Sequence, residues 1–250
     1  MRNYEAEYYE RVNFITRFLA ESGASGIVYG NSGGKDSALV GILCKAACDN
    51  TLGLIMPCTS KRNYREDADD AMTVARQYQI ETRTIDLTPV KDAAVHQLSS
   101  AAELSSSALS NMAPRLRMMS LYAVAASENR LVAGTGNRSE AYVGYFTKWG
   151  DGAYDFNPIA DLTVTEIYEF LHFLDAPACV IEKAPSAGLF EGQTDEKELG
   201  FRYSELDRYL LTGTTAPQML PAIERLHTAS EHKRTGAVSY LPFQEIMEIL

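Results

Sequence analysis

No apolar run in this 250-residue chain approaches the ~20 residues that a bilayer-spanning helix needs, so nothing in the pattern reads as a membrane protein. Cysteine is scarce. Cys44, Cys48, Cys58 and Cys179 form no Cys-x-x-Cys pair and no metal-ligand spacing, which leaves no disulfide framework and no zinc site; Cys44 and Cys48, four apart, read as packed core residues. Positive charge is short as well. The 23 Lys and Arg face 33 Asp and Glu for a net charge of −10, which argues against a nucleic-acid partner, because phosphate-backbone binding favours a basic face. The opening Met1-Arg2-Asn3-Tyr4-Glu5 is not a signal peptide, and a cytoplasmic location is expected. Without repeats, low-complexity linkers or a composition break, the expectation is a single domain over residues 1–250.

What is present alternates. With 46% hydrophobic residues the chain can bury a sizeable core. Residues Asn3 to Glu21 carry Tyr8, Val12, Ile15, Phe18 and Leu19 at helical spacing, a stripe suited to cover a sheet face or join a partner subunit. Strands are expected at Gly26–Tyr29, Thr51–Met56, Thr82–Leu87 and Leu131–Ala133, with helices at Ala38–Ala47, Glu66–Gln79, after Pro89, and at Asn111–Asn129. Ser99–Ser110, rich in Ser and Ala, reads as a mobile helix or loop. Strand–helix alternation with right-handed crossovers predicts an α/β fold, a doubly wound, mainly parallel sheet with helices on both faces.

In such a sheet ligands bind outside the carboxyl ends of strands, and one glycine-rich turn falls there: Gly30-Asn31-Ser32-Gly33-Gly34-Lys35-Asp36-Ser37. Unpaired amides and the dipole of the following helix make its N-terminus an anion site, and Gly33 and Gly34 let backbone approach a phosphate. The turn is not Walker A, because Asp36 separates Lys35 from Ser37, nor is it the dinucleotide Gly-x-Gly-x-x-Gly. It resembles the Ser-Gly-Gly-x-Asp-Ser loop of the N-type ATP pyrophosphatases. That resemblance implies that Ser32, Gly33, Gly34 and Ser37 cradle phosphate oxygens and that Asp36 helps to hold Mg²⁺, a hard cation suited to carboxylate and phosphate ligands. A second turn, Gly134-Thr135-Gly136-Asn137-Arg138-Ser139-Glu140, follows the fourth strand and could face the same cleft.

From that turn onward the pattern becomes specific. Gly144-Tyr145-Phe146-Thr147-Lys148-Trp149-Gly150-Asp151-Gly152, Asp155-Phe156-Asn157-Pro158 and Glu182-Lys183-Ala184-Pro185-Ser186-Ala187-Gly188-Leu189 resemble the NAD synthetase family. So do Gly192-Gln193-Thr194-Asp195-Glu196, Asn111 with Arg115-Leu116-Arg117-Met118, and His232-Lys233-Arg234. The resemblance implies ATP-dependent amidation of deamido-NAD to NAD through an adenylate, with AMP and pyrophosphate released. It implies Asp36 and Glu140 as metal carboxylates; Asp36 and Lys35 are the candidate catalytic residues, Lys35 as an addition of this chain rather than a feature of the family. For ATP it implies Thr135 and Ser186 beside the first loop, from Gly30 and Asn31 to Ser37; around deamido-NAD it implies Arg115, Lys148, Asp155, His232 and Lys233. Cofactor and co-substrate would be Mg²⁺ and ATP; a homodimer and no macromolecular ligand are expected.

One departure stands out. The family places a Lys after the Asn-Pro turn, where this chain has Leu162-Thr163-Val164-Thr165, so Val164 replaces an ammonium expected at ATP phosphate. Lys35, an added cation inside the first loop, could compensate. The chain has no room for a glutaminase domain with its Cys nucleophile, so free ammonia is the expected donor. Two other readings remain open: an adenylating amidotransferase acting on another carboxylate, and a low-activity nucleotide-binding paralogue.

Overall fold

The computed structural model describes residues 2–59, 65–183 and 195–240. Its sheet holds four strands, β1 (Gly26–Gly30), β2 (Thr51–Ile55), β3 (Glu81–Thr84) and β4 (Arg130–Ala133), all parallel and ordered β3-β2-β1-β4. Tyr29 lies opposite Gly53 on one side and Ala133 on the other, so β1 and β4 end level with each other. The strand order reverses between them, which is where an open α/β sheet forms its ligand crevice.

Alternation along β1 sorts the core into two layers. Ile27 and Tyr29 face one side, with α1 (Tyr4–Ser22), α2 (Lys35–Ala47) and later helices; Val28 faces the other, with Leu52, Leu54 and residues of α5 (Ser106–Glu128). Asn3 caps α1 by accepting from the Ala6 amide, and Gly23 ends it in the left-handed region. The α1 stripe covers the first layer within its own chain, with Ile15 buried and Tyr8, Val12, Phe18 and Leu19 packed around it. Helix α2 begins at Lys35, three residues before the apolar run: Gly34 supplies the extended N-cap and Asp36 sits in the first turn, where the dipole favours a carboxylate. Gly41 within it is required by packing, since a Cβ there would lie 2.3 Å from the Tyr29 hydroxyl.

Between the strands run α3 (Glu66–Gln77), α4 (Thr88–Leu98) and α5. The Ser99–Ser110 stretch is not one loop: Ser105 caps α5 by accepting from the Ala108 amide, and the helix is under way by Ser106. β3 is shorter than the expected Thr82–Leu87, yet the Ile85 and Leu87 amides still bond to the Ile55 and Pro57 carbonyls. After β4 come α6 (Arg138–Val143), α7 (Val164–Phe173), α8 (Ala178–Ile181), α9 (Asp195–Leu199), α10 (Tyr203–Thr212), α11 (Leu220–Ala229) and α12 (Glu231–Arg234). Val143, Val164, Phe201, Tyr203, Leu206 and Ile223 close a third cluster beside the strand ends. Cys44 is buried and Cys48 partly so, both as free thiols. No helix among the described residues is long and apolar enough to cross a membrane.

Candidate active site

The two glycine-rich turns meet at one cavity of about 410 Å³, lined by Gly30–Ser32 and Gly34–Ser37 from the first and by Gly134–Gly136 and Glu140 from the second. The first turn is tightly bound to its surroundings. Gly33 has φ +73°, and a Cβ there would lie 2.1 Å from the Asp67 carbonyl at the start of α3. The Ser32 and Ser37 hydroxyls are 3.1 Å apart, Ser32 accepts from the Gly34 amide, and Ser37 donates to the Gly34 carbonyl. Asn31 donates to the Ala71 carbonyl, while its buried carbonyl oxygen has no partner among the described residues.

Asn137 joins the turns. It caps α6, taking the Glu140 amide at 2.9 Å, and its own amide hydrogen goes to Glu140 Oε2 at 3.3 Å, a complete capping box. Its side-chain nitrogen also donates to Asp36 Oδ1 at 3.0 Å, across the strand ends. Asp36 and Glu140 are thereby aimed at the same space, and the ammonium of Lys35 sits there, 2.7 Å from Asp36 and 3.9 Å from Glu140. Burial and the neighbouring Asp36 push the Glu140 carboxyl well above its ordinary pKa, with Lys35 opposing. Burial works against a charged Lys35, but the two carboxylates outweigh it and raise its pKa.

These donors fit a hard divalent cation. They are carboxylate oxygens, oriented by a second residue, and close enough together that each disfavours the other's charge. No larger cluster of metal-ligating side chains occurs among the described residues. Two carboxylates plus substrate phosphates and water is the set by which Mg²⁺ is usually held.

Of the other expected site residues, Thr135 and Lys233 line the cavity; Arg115, Lys148, Asp155 and His232 do not. Lys233 donates to the Gly144 and Phe146 carbonyls at 2.7 and 2.8 Å, tying α12 to the cavity wall. Arg115 is exposed on α5 and bonds to the Lys148 carbonyl, and Lys148 bonds to that of His232; the three flank the residues that line the cavity. Asp155 accepts from the Tyr122 hydroxyl at 3.1 Å and the Val132 amide at 2.8 Å, so it fastens β4. Ser186 lies outside the described residues. Val164 is buried at the first turn of α7, packed in the third cluster.

The structure gives roles to three groups that stood in the motifs without one. Arg117 lines the cavity and donates to the Met56 carbonyl, and burial lowers its pKa. Lys183 bridges Asp67 (2.7 Å), Asp70 (2.6 Å) and the Gly33 carbonyl (3.3 Å), holding the first turn to α3. Asn137 stood in the second motif without a role. Tyr145 and Phe146 line the cavity too, whereas Trp149 is exposed.

Comparison with known proteins places this geometry. A family model described as NAD synthase matches residues 7–237. The NH(3)-dependent NAD(+) synthetase of Carboxydothermus hydrogenoformans is 46% identical over 235 residues, spanning 93% of this chain and 96% of that one. Among solved structures, NMN synthetase from Francisella tularensis superposes with a TM-score of 0.91 at 36% identity, covering 96% of this chain and 99% of that one. NH3-dependent NAD synthetase from Campylobacter jejuni gives 0.78 at 30% identity, with 96% and 100% covered.

Proposed function

The chain belongs to the NAD synthase family, and from that premise we propose that it amidates deamido-NAD to NAD with ATP and free ammonia. The observation that carries the reading is the pair of turns at the ends of β1 and β4, which set Asp36 and Glu140 on either side of one cavity beside a phosphate-type loop.

The acid is a poor electrophile, so its carboxylate oxygen attacks the α-phosphorus of ATP and pyrophosphate leaves. Ammonia then adds to the acyl carbon of the adenylate, loses a proton, and AMP departs. Mg²⁺, held by Asp36 and Glu140 when bound, would offset charge on the leaving pyrophosphate. The amides of the first turn, the Ser32 and Ser37 hydroxyls and the N-terminus of α2 bind the same group. Lys183 keeps the turn in register from behind. Lys35, beside the two carboxylates, supplies the ammonium that Val164 does not. Thr135 and Ser186 serve ATP; Arg115, Lys148, Asp155, His232 and Lys233 serve the acid substrate along the wall and flank of the cavity. A homodimer is the assembly we propose, since α4 and α5 leave Leu98 and Met119 exposed beside the second core layer.

With ATP, Mg²⁺, ammonium and deamido-NAD, NAD and AMP are expected in equal amounts; AMP without NAD would overturn the reading. A second reading concerns the acid. The higher TM-score against a protein called NMN synthetase favours amidation at the mononucleotide level, to NMN. Comparing kcat/KM for deamido-NAD and for nicotinate mononucleotide in the same assay decides between them.

A further inference from the structure

Lys35 occupies the place in the site that the function above leaves for a metal. It is 6% exposed, at the first position of α2, and the ion pairs of Asp36 and Glu140 among the described residues are both made with its ammonium. Asn137 takes one oxygen of each carboxylate, at 3.0 Å from Asp36 Oδ1 and 3.3 Å from Glu140 Oε2. The other two oxygens, Asp36 Oδ2 and Glu140 Oε1, face Lys35 at 2.7 and 3.9 Å. A divalent cation shared by the two acids would need those same oxygens. It cannot bind them while an ammonium fills the gap, because two positive centres would lie within a few ångströms in a poorly solvated cleft. Of the other ammoniums that line the cavity, Lys183 is bound to Asp67 and Asp70 and Lys233 to the Gly144 and Phe146 carbonyls, and α7 offers only the packed Val164.

We infer that Lys35 is a tethered counter-ion, which keeps the Asp36–Glu140 site assembled before ATP arrives and is exchanged for the divalent cation that enters with it. The inference rests on reading Asp36 and Glu140 as the metal carboxylates. Without Lys35, two like charges converging on one space would spread apart or take up a proton. With it, they stay aimed through Asn137, and free metal gains little by binding alone. The unbranched side chain has somewhere to go: its ammonium already lies 5.9 Å from the Tyr203 ring centroid, and its backbone belongs to the phosphate loop. Displacement therefore delivers an ammonium beside the pyrophosphate end of the nucleotide. A Lys at the Val164 position, on another element, could not couple the two events.

The test uses Mn²⁺ as the probe, titrated into the full-length protein without nucleotide and followed by loss of the free-ion electron paramagnetic resonance signal. Wild type is expected to bind weakly and Lys35→Met at least about tenfold more tightly, a small part of what removing a unit charge at ~4 Å implies. Adding Glu140→Gln to Lys35→Met is expected to abolish the gain. Equal or weaker binding by Lys35→Met, or a gain that survives Glu140→Gln, overturns the inference. If Lys35→Met does not fold without metal, wild type answers alone: its unfolding midpoint is expected to be the same in chelator and in millimolar Mn²⁺, and a rise of several degrees overturns the exchange. Neither pyridine nucleotide nor ammonia is present, so either result stands apart from the amidation assay.

Discussion

Glu140 does two jobs with its two oxygens. Oε2 closes the capping box with Asn137, while Oε1 looks into the cavity, where burial and Asp36 raise the carboxyl's pKa. A raised acid pKa means the folded state holds a proton that the unfolded state has released, so stability falls as pH rises from the ordinary carboxylate range through the folded value. Glu140→Gln removes the charge and keeps an N3 acceptor for the Asn137 amide. In chelator at neutral pH it is expected to raise unfolding stability and to lose Mg²⁺-dependent turnover. Urea unfolding beside the amidation assay checks both. Asp207 is buried too, and burial likewise raises its pKa against the hydrogen bonds it receives from Ser139 and Thr165. It is 1% exposed and accepts from Ser139, from the Thr165 hydroxyl at 2.6 Å and from the Thr165 amide at 2.7 Å, which locks α6, α7 and α10 together. Asp207→Ala strands those donors and is expected to cost about 3 kcal/mol in the same unfolding measurement. Residue by residue, the sequence shows such roles unevenly. Asn-x-x-Glu is readable as a cap, but its Asp36 contact spans 101 positions and appears only once β1 and β4 are neighbours. Arg115 and Arg117 sit two apart on a helix, about 200° around its axis, so pattern alone could not say which of them faces the cavity.

At the scale of elements, α1 is held by more than its apolar stripe. Arg11 pairs with Asp161 at 2.7 Å and Glu7 at 2.6 Å, and Arg2 pairs with Glu166 at 2.7 Å, bolting the helix to the segment that leads into α7. Burial alone would raise the Asp161 and Glu166 pKa values, but Arg11 and Arg2 outweigh it and depress both. For a depressed acid the unfolded chain takes up protons first, so this stabilisation is present above the ordinary carboxylate pKa and is lost as pH falls through the folded one. Arg11→Met is expected to lose about 1 kcal/mol at neutral pH, discounted because Asp161 is half exposed, with the deficit vanishing once pH falls below the depressed pKa of Asp161. Denaturation curves for both proteins across that range give the difference directly. The elements themselves were largely legible. Alternating strands and helices, the glycine turns and the apolar α2 all follow from local chemistry, and the boundaries differ where a cap residue lies ahead of the apolar run. α2 gained a turn because Gly34 caps it, and α5 gained one because Ser105 does. The ion pairs of α1 left no signal, since Arg11 and Asp161 are 150 residues apart.

For the molecule as a whole, the two faces of the sheet are covered unequally. On one face α1, α2 and α7 enclose Ile27 and Tyr29. On the other, α4 buries none of its residues and α5 only Ala113, Pro114 and Ala125 of 23, leaving Leu98 48% and Met119 52% exposed. A helix of that length running along a sheet ordinarily buries a full stripe. Here the outer side of the layer lacks a cover within the described chain, and a second copy related by two-fold symmetry would present the same surface to it. The net charge of −10 does not prevent this, because α5 carries no Asp or Glu before Glu128, at its end. Since α5 also carries Asn111, Pro114 and Met118 into the cavity wall, pairing would stiffen the site as well as cover the layer. Sedimentation at micromolar concentration is therefore expected to give twice the 27.6 kDa chain mass. Met119→Glu, a charge placed in the centre of that face, is expected to shift the protein towards monomer and to lower turnover in parallel with the dimer fraction. A wild type that sediments as a monomer, or a variant that loses the dimer but keeps full turnover, would separate assembly from catalysis and leave the exposed face of α4 and α5 to some other cover.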